Sequence, residues 1–165
     1  GKSTIIHALT QKGYCCYPEI SREVTMNAQK EGIEQLFLEN PLMFSKLLLE
    51  GRIKQHQNAL QEPHDIVFLD RGIPDVLAYM NYIGDDCPSE FDEACRTHIY
   101  TKIFILPPWE EIYLSDAERY ENYEQANLIY HFLKETYESY GYQPIEVPKK
   151  TVDKRILFIL DKISE

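Results

Sequence analysis

Apolar residues fall along this chain in two alternating rhythms, short continuous runs and longer stretches with helical spacing. Four short runs, Tyr14 to Pro18, Ile66 to Leu69, Ile103 to Leu106 and Ile145 to Val147, predict strands, and the middle two are continuous in the manner of strands covered on both faces of a parallel sheet. Between them lie helical patterns. Ile5, Ile6 and Leu9 recur at helical spacing before Gly13, a C-cap signal. Pro41 to Gln61 predicts a long helix with Leu42, Phe44, Leu47, Leu48 and Ile53 on or near one face, and Pro74 to Ile83 a shorter one with proline at its start. Another helix starts near Ser89 and Asp92. Ser115 with Glu118 forms a capping box for a helix carrying Tyr120, Tyr123, Ile129, Leu133 and Tyr137 up to Gly141. Thr151 caps the last, whose Val152, Ile156, Ile159, Leu160 and Ile163 make one stripe.

That alternation predicts an α/β fold, a three-layer domain with a mainly parallel sheet, helices on both faces and right-handed crossovers. One further strand is expected upstream of residue 1. In such a fold, ligands sit where the strands end at their carboxyl edge. The chain of 165 residues, 44% hydrophobic, reads as one cytosolic domain without linker, repeat or apolar run of membrane-spanning length. A net charge of −10 argues against nucleic acid or anionic membrane as a partner. Cys15, Cys16, Cys87 and Cys95 have neither C-x-x-C nor metal-ligand spacing and are expected to be reduced packing residues.

The chemistry gathers at the predicted strand ends. Gly1-Lys2-Ser3-Thr4 matches the second half of a phosphate-binding loop, in which backbone N–H groups and a helix N-terminus cradle phosphates. In that motif the lysine reaches the β/γ oxygens and the hydroxyl, here Ser3, ligates Mg²⁺. The Ile66 strand runs into Asp70-Arg71-Gly72, placing a carboxylate where it holds Mg²⁺ or its water, or simply ends a strand in a turn. Glu19 follows the first strand, either as general base for an acceptor hydroxyl, as a helper of the metal, or as a charge stabilising a helix N-terminus. Arg71 and Arg119 are the candidates for neutralising the transferring group, Arg119 as a lid residue or an exposed helical ion pair. Arg22 and Asp75 are candidate acceptor contacts, while Arg22 and Arg52 rank below Arg71 among the cations. Trp109 and Tyr79 are able to stack a ring, but tyrosines at helical spacing are commonly packing residues.

Together, Gly1-Lys2-Ser3-Thr4, Pro18-Glu19-x-x-Arg22-Glu23, Phe68-Leu69-Asp70-Arg71-Gly72-x-Pro74-Asp75, Asp116-x-x-Arg119-Tyr120-Glu121-Asn122 and Tyr140-Gly141-Tyr142 resemble the AAA-type ATPase domain family. Its relatives include the nicotinamide riboside kinase domain of the bifunctional bacterial NAD regulator and an animal channel translocation-defect protein. The resemblance spans nearly the whole chain, and Asp-Arg-Gly-x-Pro-Asp is its most specific part. It implies a P-loop kinase-like fold that binds ATP, or GTP, with Mg²⁺. By similarity to deoxynucleoside and thymidylate kinases, Glu19 is expected to be base-like, Asp70 metal-associated and Arg71 phosphate-binding. Two functions follow, γ-phosphoryl transfer to a nucleoside-like or ribosyl hydroxyl, and a nucleotide-hydrolysing switch with no small-molecule acceptor.

Overall fold

A computed structural model describes the backbone of residues 2–109 and 117–165, and the side chains of residues 2–109 and 123–165. The elements run α1 (Lys2–Gln11), β1 (Cys15–Tyr17), α2 (Ser21–Lys30), α3 (Leu36–Glu39), α4 (Pro41–Gln61), β2 (Val67–Leu69), α5 (Ile73–Ile83), α6 (Ser89–Thr97), β3 (Phe104–Ile105), α7 (Ala117–Ser139), β4 (Ile145–Glu146) and α8 (Val152–Ser164). All four predicted strands form, shorter than their apolar runs. The strands pair in parallel, β1 with β2 in the register Cys15 to Val67, and β3 with β4 in the register Phe104 to Ile145.

The single sheet expected from the sequence is therefore, among the described residues, two parallel pairs. Each ladder runs one step past its strands, through Asp70 N–H to the Tyr17 carbonyl at 3.0 Å and Val147 N–H to the Ile105 carbonyl at 2.9 Å. One apolar core serves both pairs. Ile5 and Leu9 of α1 meet Ile156 and Ile159 of α8 and buried Val147, with Cys16, Phe68, Phe104 and Leu106 from the strands packed on them. Removing each such side chain from water is worth about 1.5–3 kcal/mol, and this fixes α1 against the strands.

A second core contains only helical and loop residues. Leu48 and Leu49 of α4, Ile73, Val76, Leu77 and Met80 of α5, and Phe91, Ala94 and Cys95 of α6 close around Ile20. Local signals set the ends. Asn40 caps α4 by accepting from Met43 N–H at 3.2 Å, and Pro41 stands at its first position. Thr151 caps α8 by accepting from Lys154 N–H at 3.3 Å. Helix α3 was not predicted, and α2 was anticipated only through the helix-terminus reading of Glu19. Neither carries a side-chain cap or a clean apolar stripe, and α2 is held by Ala28 and by packing of Val24 on the second core. The Ser115 capping box lies outside the described residues.

Candidate active site

Strands β1 and β2 end side by side, so the residues that follow them emerge together at one edge. After β1 the chain passes Pro18 and Glu19 into α2, and after β2 it passes Asp70, Arg71 and Gly72 into α5. Helix α1 begins at the same edge. The Lys2 Nζ donates to Oδ1 of Asp70, a carboxylate that is 8% exposed. An acid this buried is costly without a cation, and Lys2 supplies it. Ser3 and Thr4 follow on the first turn of α1, both exposed to solvent. Gly1 lies outside the described residues.

Glu19 sits at the start of α2 and is fully engaged. Its Oε1 accepts from Ser21 N–H at 2.8 Å and from Arg52 Nη2 at 3.2 Å, while Oε2 accepts from the Ser21 hydroxyl. The carboxylate thus sits at the helix terminus, as one of its sequence readings expected, and also pairs with Arg52. Burial alone would raise the Glu19 pKa. The Ser21 hydrogen bonds and the Arg52 charge outweigh it and hold the carboxyl below its ordinary value. Glu19 is consequently ionised at neutral pH.

Arg52 is the residue that sequence reasoning undervalued. It is 4% exposed, and its Nη1 donates to the Gly72 carbonyl at 3.4 Å, so one guanidinium ties α4 to both strand exits. Its Nε has no partner among the described residues. The signal was present in the pattern. Ser45, Leu48, Leu49, Arg52 and His56 are the buried residues of α4, spaced as one inward face, and the apolar stripe simply continues as a cation. A charged residue at a core position requires an anion beside it, and half-buried Glu19 is that anion.

Arg71 and Asp75 form the third pair. Arg71 has φ 74°, a left-handed backbone that costs a non-glycine residue on the order of 1–3 kcal/mol and that clusters at functional sites. Its Nη1 donates to Asp75 Oδ2 at 3.2 Å. Desolvation alone would lower the Arg71 pKa, but Asp75 outweighs it, with Glu19 and Asp70 adding to the effect, so the net shift is upward. Arg71 thus lies within electrostatic reach of all three acids, though its hydrogen bond is to Asp75. Asp75 Oδ1 also accepts from Gly72 N–H at 3.1 Å, capping α5, and from the Tyr137 hydroxyl of α7. Burial and the neighbouring Asp75 charge push the Tyr137 phenol well above its ordinary value, so it stays protonated as a donor.

Gly72 is required by this packing. A Cβ there would stand 2.7 Å from the Tyr137 hydroxyl and 3.1 Å from Cζ of Tyr100, and no side chain fits. Tyr100 accepts from Ile73 N–H at 3.0 Å, and its backbone N–H donates to the Tyr142 hydroxyl at 3.0 Å. His56 lies beneath, its Nε2–H donating to the Ile99 carbonyl at 2.9 Å and its ring edge-on to Tyr100 at 5.0 Å.

The structure thus brings Lys2, Asp70, Glu19, Arg71 and Asp75 together and adds Arg52, Ser21, Tyr100 and Tyr137. It does not bring in Arg22, which is exposed on α2 with no ion pair among the described residues. Tyr79 is 44% exposed on α5, its ring 6.2 Å from that of Tyr82. Trp109 is half-buried, with Arg155 Cζ 5.9 Å from the ring centroid. The Arg119 side chain lies outside the described residues.

A family described as AAA domain matches residues 1–155. The chain belongs to the AAA domain family. Among curated proteins and among solved structures, nothing matches it. AAA domain membership makes this a P-loop, nucleotide-binding domain, and it joins the N-terminal Lys2 segment and the Asp70 exit in one family match. No helix among the described residues is long and apolar enough to cross a membrane. All four cysteines are free, Cys95 buried and Cys15, Cys16 and Cys87 half-buried.

Proposed function

We propose that this AAA domain binds Mg·ATP, or Mg·GTP in its place, and transfers the γ-phosphoryl group to a nucleoside-like or ribosyl hydroxyl. The observation that carries the reading is the convergence of three acid–base pairs, Lys2–Asp70, Arg52–Glu19 and Arg71–Asp75, where β1 and β2 end. Phosphoryl transfer asks a protein mainly to position groups and to neutralise charge on the moving one. This edge carries both signs at short range.

In this reading the two parallel pairs belong to one three-layer sheet, and the kinship with nicotinamide riboside kinase domains is functional. Lys2 and the N-terminus of α1 hold the phosphates. Asp70 and the Ser3 hydroxyl are an acid and a neutral oxygen donor, the chemistry that suits Mg²⁺, which when bound neutralises phosphate charge. Lys2 is available to phosphate because its partner acid is the one assigned to the metal. Arg71, 40% exposed and held by Asp75, faces solvent with its remaining N–H groups and neutralises charge on the transferring group. Arg119 shares that role on the argument of its place in the chain, and Arg22 and Asp75 remain proposed acceptor contacts.

Glu19 orients the acceptor hydroxyl. Its lowered pKa makes it a weak proton sink, which suits a loose transition state where the hydroxyl loses its proton late. The test is Glu19→Gln in the intact protein, assayed over a nucleoside and ribosyl panel. Mg·ATP affinity should stay near wild type while phosphorylation of the best acceptor falls by about 10²–10⁴. Loss of ATP binding would move Glu19 to the metal site. Slow hydrolysis in the wild type with no acceptor phosphorylated would replace the kinase by a nucleotide switch.

A further inference from the structure

The opposite end of the β1–β2 ladder carries a second group of donors, which the phosphate chemistry does not use. Cys15 opens β1 and pairs in register with Val67, so the residues preceding β2 pass beside it. Those residues are Glu62, Pro63 and His64. Helix α4 stops at Gln61 because Pro63 forces the residue before it out of helical geometry, and Glu62 accordingly has φ −68° and ψ 140°. Extended backbone at Glu62 and the fixed proline ring project the carboxylate and the imidazole back toward the start of β1. One ligand atom each from Cys15, Glu62 and His64 lies within 4.8 Å of the others.

We propose that Cys15, Glu62 and His64 form a binding site for a zinc-class divalent cation, completed by water. A thiolate, an imidazole and a carboxylate are the donor set that selects Zn²⁺ or Co²⁺ over Mg²⁺, which prefers oxygen alone. Around a tetrahedral zinc with bonds of about 2.0–2.3 Å, donors stand roughly 3.3–3.8 Å apart, so closing the site takes only side-chain rotation of about an ångström. A second observation points the same way. The Tyr17 hydroxyl donates to Glu62 Oε1 at 2.5 Å, fixing one oxygen of the carboxylate and leaving Oε2 for a metal, as outer-shell partners of metal ligands do. Tyr17 is two residues along β1 from Cys15, so a single strand supplies both a ligand and the group that orients another. Glu62 and Cys15 are half-buried and His64 is exposed, which leaves an entry path.

Binding is a proton exchange at sulfur. The Cys15 S–H bond breaks as the sulfur–metal bond forms, one proton leaves to solvent, and no electron is transferred. Sequence reasoning missed the site because its ligands are separated by almost fifty residues and only the strand pairing joins them.

The experiment is a titration of the reduced, intact protein with Co²⁺, read as the near-ultraviolet thiolate-to-cobalt charge-transfer absorption, then back-titration with Zn²⁺. The charge-transfer band reports sulfur ligation, so a cobalt ion held by oxygen ligands at Asp70 stays silent. Wild type and Cys16→Ser should show the band with one equivalent bound, and Zn²⁺ should abolish it. Cys15→Ser should lack it, and His64→Ala and Tyr17→Phe should each weaken affinity by about tenfold or more. A wild type without the band, or a Cys15→Ser protein that keeps it, overturns the proposal. Neither result bears on nucleotide binding at the other end of the strands.

Discussion

The two ends of the β1–β2 ladder differ in how their polar groups are committed before any ligand arrives. At the carboxyl end every acid is already matched. Asp70 has Lys2, Glu19 has Arg52 and Ser21, and Asp75 has Arg71, Tyr137 and the Gly72 N–H. At the amino end the side chains of Cys15 and His64 have no hydrogen bond or ion pair among the described residues, and only the Glu62 side chain is held, through Tyr17. The difference teaches where rigidity is needed. On the proposed reading, a site that must hold several like charges on a nucleotide is prebuilt around ion pairs whose acids are largely removed from water, because an unmatched buried charge is costly. A site for one cation leaves its donors open, because the ion itself is the missing partner.

Breaking the carboxyl end at its most buried point gives the largest expected effect. Arg52→Met leaves Glu19 without its cation and Gly72 without a donor, and should lower unfolding free energy by about 3 kcal/mol in urea titrations. Arg22→Ala, on the exposed face of α2, should change it by no more than about 0.5 kcal/mol. Similar losses in both would mean that Arg52 is not the tie between the two strand exits.

A smaller effect comes through pH. Glu19 has a folded pKa below its ordinary value of 4.5, so its ionised form is stabilised in the folded chain. That stability is fully present above the unfolded pKa and is lost as pH falls through the folded one. The stability gap between wild type and Glu19→Gln should therefore be constant near neutral pH and narrow below about pH 4.5. A gap that is flat from neutral pH to about pH 3, measured by denaturation at each pH, would mean that the Ser21 and Arg52 contacts do not stabilise the charge.

Much of this architecture was legible. Short apolar runs marked the four strands, although the continuous middle two, expected to be covered on both faces, include Val67, Phe68 and Leu69 that are only half-buried, and Pro41 and Thr151 fixed helix starts by local chemistry alone. The edge at which Lys2 meets Asp70 followed from strand–helix alternation. Arg52 was harder, since a charge at a core position looks like a break in the stripe until its partner is known. Tyr137 and Tyr100 were hidden for another reason. Their roles depend on Gly72 letting two rings approach the strand exit, a tertiary contact with no local pattern. Arg22 was the opposite case, placed near Glu19 by sequence distance and turned outward by the rotation of α2.

The central claim is that the lysine paired with Asp70 is the phosphate-binding lysine of a nucleotide site. Calorimetric titration of the intact protein with Mg·ATP, wild type against Lys2→Ala, tests it most directly. Lys2→Ala leaves the buried Asp70 carboxylate without its cation, so folding stability should fall somewhat, while Mg·ATP binding by the folded protein weakens by about 2–5 kcal/mol, the cost of losing one partner of a close charge pair. Equal Mg·ATP affinity in the two proteins, with both folded, would contradict the account.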